Sequence, residues 1–305
     1  MRERRLTAQF DRIWLKYQEG RILEGLESLD EVNCFALTFG SDVAETLRLV
    51  TLMRDPGRNP LGYGLSEAPV LGLLTRVAKL FRLVCRFYEL RNGEYLSLFS
   101  RPLIESAIVA TYLLREGGEA VEDFRRSSYR DTLRILRDYR SGSDFFRTAP
   151  GQRVLRSALD DLALEDLSIE SFAQQKRNRW RLQGKSLYEI FGEVASPDEF
   201  PFVYGMFSES LHGSWNESMD WSLYRNDDCT FGANPLFFNG DTRAILPLVR
   251  YATPPYALWV KRIGLSDQPL QETLLRILKY SHTIYLKFDE LYDGPAEGSA
   301  AADWS

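Results

Sequence analysis

Apolar residues recur along this chain at the three- and four-residue spacings of helices, and almost nowhere alternate as a half-buried strand would require. Phe10, Ile13, Trp14 and Tyr17 mark one amphipathic stretch and Val43, Leu47 and Val50 a second, so residues 1–53 are expected to form N-terminal helices. Residues 54–69 hold Pro56, Pro60 and Pro69 with Gly57, Gly62 and Gly64, which predicts a linker or ordered loop. The strongest pattern follows. Leu73, Leu74, Val77, Leu80, Phe81, Val84, Phe87 and Tyr88 line one side of a helix over Val70–Glu89, with Arg76, Lys79, Arg82 and Arg86 opposite. Asn92-Gly93 is expected to close it through a left-handed cap.

A helix from Tyr95 to Arg115 is apolar nearly all round, which predicts a central position, and it stops at Gly117-Gly118. A third, arginine-dense helix is expected from Glu119 to Arg140, then others over 152–162, 168–181 and 201–211. Residues 222–265 are rich in Asn, Asp, Gly and Pro, including Pro254-Pro255, and are expected to be irregular. Residues 266–292 predict a C-terminal helix packed on the core, and 293–305 a disordered tail. The fold class is therefore all-α, with 70–221 as its helical core.

Composition narrows the chemistry. With 44% apolar and 27% charged residues in 305, the chain can bury a real core and is not disordered throughout. A net charge of −5 confines any nucleic-acid contact to a local patch. Three scattered cysteines and two histidines support neither a disulfide framework nor a metal site, so no metal and no cofactor are expected. The charged N-terminus lacks the apolar segment of a secretory signal, and the longest apolar run falls far short of the ~20 residues of a membrane span. A cytoplasmic protein with no membrane contact is expected. Walker A, GxGxxG, HExxH and GxSxG motifs are absent.

Four constellations could carry chemistry. Arg101 and Glu105 share a face of the central helix, either as a structural ion pair or as an anion-binding arginine oriented by its carboxylate. Tyr204, Ser208 and His212, four apart, form one polar row that could orient an imidazole for acid–base transfer or simply satisfy a capping histidine. Arg126, Arg130, Arg134 and Arg137 make a stripe able to track a phosphate backbone, or an ordinary solvated face, since Asp123, Asp131 and Asp138 interleave. Arg276 and His282 lie six apart, and on a continuous helix they project about 120° from each other. His282 reads as a core histidine.

Arg101-x-x-x-Glu105, then Trp180-Arg-Leu-Gln-Gly-Lys-Ser186, then Tyr204-x-x-x-Ser208-x-x-x-His212, in that order, resemble a family of uncharacterised prokaryotic proteins with a HEPN-like helical core. The resemblance covers roughly residues 70–220. It implies a HEPN-like bundle extended by the N-terminal helices and the C-terminal helix, and a metal-independent ribonuclease-type effector of a defence or toxin system. RNA would be the substrate and a homo-oligomer the working form. His212 would be the acid or base, Arg101 the phosphate ligand, and Tyr204, Ser208 and Glu105 the orienting groups. Phe207 and Met206 stand five and six residues before His212, where active HEPN proteins carry an arginine, so Arg101 would have to supply it from the neighbouring helix. The competing reading is a non-catalytic helical module that binds a partner protein or nucleic acid, with the same cluster structural.

Overall fold

The computed structural model describes residues 2–17, 22–54, 61–165, 180–205, 215, 218–240, 242–265 and 268–293. Helix α1 (Arg2–Trp14) buries Leu6, Phe10 and Trp14, and the Trp14 indole donates to the Thr46 hydroxyl at 2.8 Å. Helix α2 (Leu29–Leu52) starts at a capping box: the Ser28 hydroxyl accepts from the Glu31 amide, and the Glu31 carboxylate accepts from the Ser28 amide. Helices α3 (Ala68–Glu89) and α4 (Leu96–Glu116) follow, each packed against the helix before it. Helix α4 is buried on nearly every side, as its all-round apolar character requires, and ends at Gly117 with φ of +86°.

The cap of α3 differs from expectation. Arg91, not Asn92-Gly93, takes the left-handed conformation, with φ of 59°. Its amide bonds to the carbonyl of Tyr88 and that of Asn92 to Phe87, the paired pattern of a Schellman motif with arginine in the usual glycine position. Gly93 serves a different purpose. Its amide donates to the Phe238 carbonyl at 2.7 Å, and a Cβ there would fall 2.5 Å from the Gly240 nitrogen. Glycine is needed because another stretch of backbone lies against it.

The expected arginine-rich helix is two helices, α5 (Gly118–Ser128) and α6 (Arg130–Arg140), broken at Tyr129. The Ser127 and Ser128 hydroxyls both bond back to the Phe124 carbonyl at 2.9 Å, which loosens the last turn of α5. The break also marks a change of core. Helix α5 packs on α3 and α4, whereas α6 packs on α7 (Ala149–Leu164). There Leu136, Phe146, Leu155 and Leu162 form a small apolar cluster of their own.

The expectation of irregular structure over 222–265 is corrected. A two-stranded antiparallel hairpin, β1 (Leu223–Arg225) and β2 (Phe231–Ala233), pairs Leu223 with Ala233 and Arg225 with Phe231. Helices α9 (Thr242–Ala252) and α10 (Pro254–Arg262) then lie in the core. Pro254 and Pro255 occupy the first turn of α10, where no amide hydrogen bond is lost. Helix α9 buries Ile245, Leu248, Val249 and Ala252 against α2, α3, α4 and the last helix, α11 (Gln268–Asp293). The bundle is all-α apart from the hairpin. Of the helix expected over 168–181, residues 168–179 lie outside the described residues and Trp180 and Arg181 are not helical; the tail from 294 also lies outside the described residues.

Candidate functional site

Arg101, Glu105, Tyr112 and Arg115 fall on one face of α4, because three turns return nearly to the starting angle. Residues 180–205 cross that face, carrying helix α8 (Leu187–Val194), a short 3-10 turn (Pro197–Glu199) and one π-helical turn (Pro201–Gly205). Polar contacts hold this crossing segment near both ends of α4, where Arg115 also donates to the Glu193 carbonyl at 3.1 Å, and tie it to α9.

At the first, the Arg101 Nε donates to Glu105 Oε1 at 3.2 Å and an Nη2 proton goes to the Tyr204 hydroxyl at 2.5 Å. The Tyr204 hydroxyl in turn donates to Glu105 Oε1 in a short hydrogen bond. The guanidinium also lies 4.5 Å from the centre of the Tyr204 ring, and Phe200 stacks on that ring at 4.7 Å. Arg101 and Glu105 keep 23% and 35% of their side chains in solvent, so the trio is half-buried yet reachable.

The electrostatics follow from the geometry. Burial raises the Tyr204 phenol, the bond to Glu105 raises it further, and the result is about 12. Burial opposes the charge on Arg101, but the Tyr204 and Glu105 oxygens outweigh it and hold the guanidinium firmly protonated. At neutral pH Tyr204 is thus a donor and not a base, and proton transfer would have to fall to another group. Two of the five N–H donors of Arg101 are engaged; no residue among those described takes the others.

At the other end of α4, the Tyr112 hydroxyl donates to Gln183 Oε1 at 2.6 Å, and the Gln183 backbone N–H donates to Asp123 Oδ2 on α5 at 2.5 Å. Gln183 and Gly184 have φ of 49° and 78°, and Leu182 and Lys185 exchange two backbone hydrogen bonds of 2.9 Å. This two-residue turn with both central residues left-handed explains the Leu-Gln-Gly-Lys sequence. Lys185 lies 5.1 Å over the Tyr112 ring and is carried up to about 12 by its bond to Glu193 and then by Tyr112.

A third anchor joins the segment to α9. Glu199 accepts from Arg250 at 2.6 Å and from the Tyr251 hydroxyl at 2.5 Å, repeating the arginine–glutamate–tyrosine arrangement. Glu199 lies some fifty residues from the adjacent Arg250 and Tyr251, and no spacing in the sequence announces the trio. Helix α8, outside every helix expected from the sequence, did carry a signal: Ser186 and Glu189 form a capping box on the apolar run of Leu187, Ile190 and Phe191.

The structure thus brings Arg101, Glu105 and Tyr204 together. Ser208 and His212 lie outside the described residues. The arginine stripe is divided by the break at Tyr129. Arg126 is exposed and held by Glu122 at 3.2 Å, Arg134 and Arg137 are exposed on α6, and the Arg130 side chain lies outside the description. Arg125, beside the stripe, turns inward to Glu122 and Glu165. Arg276 pairs with Glu272 on α11, while His282 is half-buried rather than enclosed in the core. Among the described residues no group of three or more His, Cys, Asp or Glu could hold a metal ion, and no helix is long and apolar enough to cross a membrane.

Residues 67–228 match a protein family described only as a family of unknown function, DUF5677. The match runs from the residue preceding α3 to the turn of the hairpin and takes in Arg101, Glu105 and Tyr204. It leaves out α2, α9, α10 and α11, which complete the core around the matched helices. No curated protein and no solved structure matches the chain.

Proposed function

We propose that this chain, which belongs to the DUF5677 family of unknown function through residues 67–228, is a HEPN-like, metal-independent ribonuclease-type effector. We place it in the cytoplasm, as a homo-oligomer in a prokaryotic defence or toxin system. The observation that carries this reading is Arg101: half-buried, fixed in direction by Glu105 and Tyr204, and with N–H groups to spare for a phosphate. A guanidinium held in that way stabilises charge developing on phosphate without reorganising. His212 would move the proton of the ribose 2′-hydroxyl, since Tyr204 keeps its own at neutral pH. Ser208 would orient the imidazole. The exposed Arg126, Arg134 and Arg137, with Arg130, would guide the RNA backbone.

One observation favours a second reading, a non-catalytic helical module that binds a partner protein or nucleic acid. Arg101, Glu105 and Tyr204 already satisfy one another, and together they tie residues 201–205 to α4. On this reading the cluster holds the segment in place and does no chemistry.

Cleavage of RNA by purified protein in EDTA separates the two. Wild type should cut, while folded Arg101→Ala and His212→Ala should not, folding being checked by circular dichroism and melting. Absence of cleavage by wild type on structured and single-stranded RNA alike, with Arg101→Ala markedly less stable, would establish the structural role instead.

A further inference from the structure

Helices α2 and α3 do not close over their whole length. Ser41 and Ala44 present small side chains on α2 where α3 presents Lys79, Arg82, Leu83, Cys85, Arg86 and Glu89, and a surface groove of about 790 Å³ opens between them. That volume lies within the range of ligand sites. Its floor is apolar. Ala44 and Cys85 are buried there and Leu83 is 40% exposed. Its rim is charged and unbalanced. Glu45 is held by two hydrogen bonds from Arg48 at 2.7 and 2.6 Å, and Glu89 pairs with Arg86. Lys79 and Arg82 stand one turn apart on α3 at the Glu45 end. Neither makes a hydrogen bond or ion pair with any described residue, although Arg82 faces the Glu45 carboxylate through space.

We infer that this groove is a binding site for an amphipathic anion, an alkyl chain bearing a carboxylate or phosphate head. Lys79 and Arg82 take the head and the chain lies along Ala44, Leu83 and Cys85. Two cations in excess at one end of an apolar trough match such a molecule on both counts. A nucleic-acid backbone fits poorly, because its phosphates would pass Glu45 and Glu89 and leave the apolar floor uncovered. The inference is independent of any chemistry at Arg101. Groove and trio do not share a residue.

Calorimetric titration of the whole protein with dodecanoate, dodecylammonium and inorganic phosphate, below micelle-forming concentrations, tests the site. Dodecanoate should bind at least about tenfold more tightly than dodecylammonium. The double variant Lys79→Glu/Arg82→Glu should abolish or reverse that preference. Ser41→Trp, which fills the groove without changing charge, should weaken dodecanoate about tenfold. Should Ser41→Trp lower the melting temperature, Leu83→Glu, at an exposed position, takes its place. Exposed Arg153 on α7 supplies the control, Arg153→Glu, which should bind as wild type does. The site is overturned if wild type does not bind dodecanoate, if the two amphiphiles bind alike, if the groove variants bind normally, or if phosphate alone competes as well as dodecanoate.

Discussion

The hydroxyl of Tyr112 and the side-chain carbonyl of Gln183, 71 residues apart in sequence, share a 2.6 Å hydrogen bond that seats a tight turn on the central helix. Tyr112 itself is 1% exposed, so its hydroxyl has little access to water if Gln183 is removed. Gln183→Ala should therefore cost about 1–2 kcal/mol, the penalty of a buried donor left unpaired. Tyr112→Phe, which removes the buried donor and leaves the exposed Gln183 carbonyl to water while keeping the ring under Lys185, should cost less. Urea unfolding of the two variants gives the order, and a Tyr112→Phe cost above that of Gln183→Ala would sink the argument.

Alkaline pH should loosen the Arg101 trio. The Tyr204 phenol titrates near 10 in the unfolded chain and near 12 in the folded one, so its contribution to stability is complete below pH 10 and is lost as pH rises toward 12. Tyr204→Phe deletes that contribution. The melting temperatures of wild type and Tyr204→Phe should lie furthest apart at neutral pH and converge between pH 10 and 12. A constant gap across that window would show that the hydroxyl is not held as described.

Arg91→Gly should stabilise the protein. The left-handed φ of 59° at the end of α3 strains an arginine by roughly 1 kcal/mol, and glycine relieves it while leaving both closing hydrogen bonds intact. The neighbouring Gly93→Ala should do the opposite and cost about 1–3 kcal/mol, since the new methyl meets the backbone of Asn239 and Gly240. Paired chemical denaturation curves decide both signs at once.

Glu105→Gln should separate charge from shape at the candidate site. The amide still accepts from Arg101 and Tyr204 but leaves the guanidinium charge unneutralised. On the ribonuclease reading, phosphate or RNA affinity at low salt should rise by a few-fold while melting falls slightly. Fluorescence anisotropy with a short labelled RNA measures it. Unchanged affinity would mean that Arg101 does not meet the nucleic acid.

Local periodicity carried most of the architecture. Helices α2, α3, α4 and α11 could be read from apolar spacing because each turns a continuous stripe toward the core, and Arg101 and Glu105 were visible because they are four apart on one such helix. What failed did so where local punctuation and packing disagree. The prolines of 254–255 look like breakers but sit in a first turn, and the Ile245, Leu248, Val249 and Ala252 stripe of α9 was obscured by the polar residues on either side. Arg91 takes the position that glycine usually fills, which moved the expected cap by one or two residues. The partnership of Tyr204 with α4 crosses 103 residues, and that of Glu199 with Tyr251 joins two separate segments, so each exists only once the chain has folded.

The division of the core at Tyr129 bears on how the molecule opens. Among the described residues, α6 and α7 gather a small cluster of Leu136, Phe146, Leu155 and Leu162 with Tyr129 and Ile135 packed against it, and the side-chain tie from α5 to the end of α7 that the structure gives is the Arg125–Glu165 ion pair. So little buried apolar area supports a lower local unfolding free energy than the main bundle has. The hairpin of α6 and α7 is accordingly expected to open as a cooperative unit of its own, melting and re-forming while α2, α3, α4 and α9 stay closed. Native-state hydrogen exchange should show its amides exchanging together, ahead of those in α4, and in a manner insensitive to substitutions around Arg101.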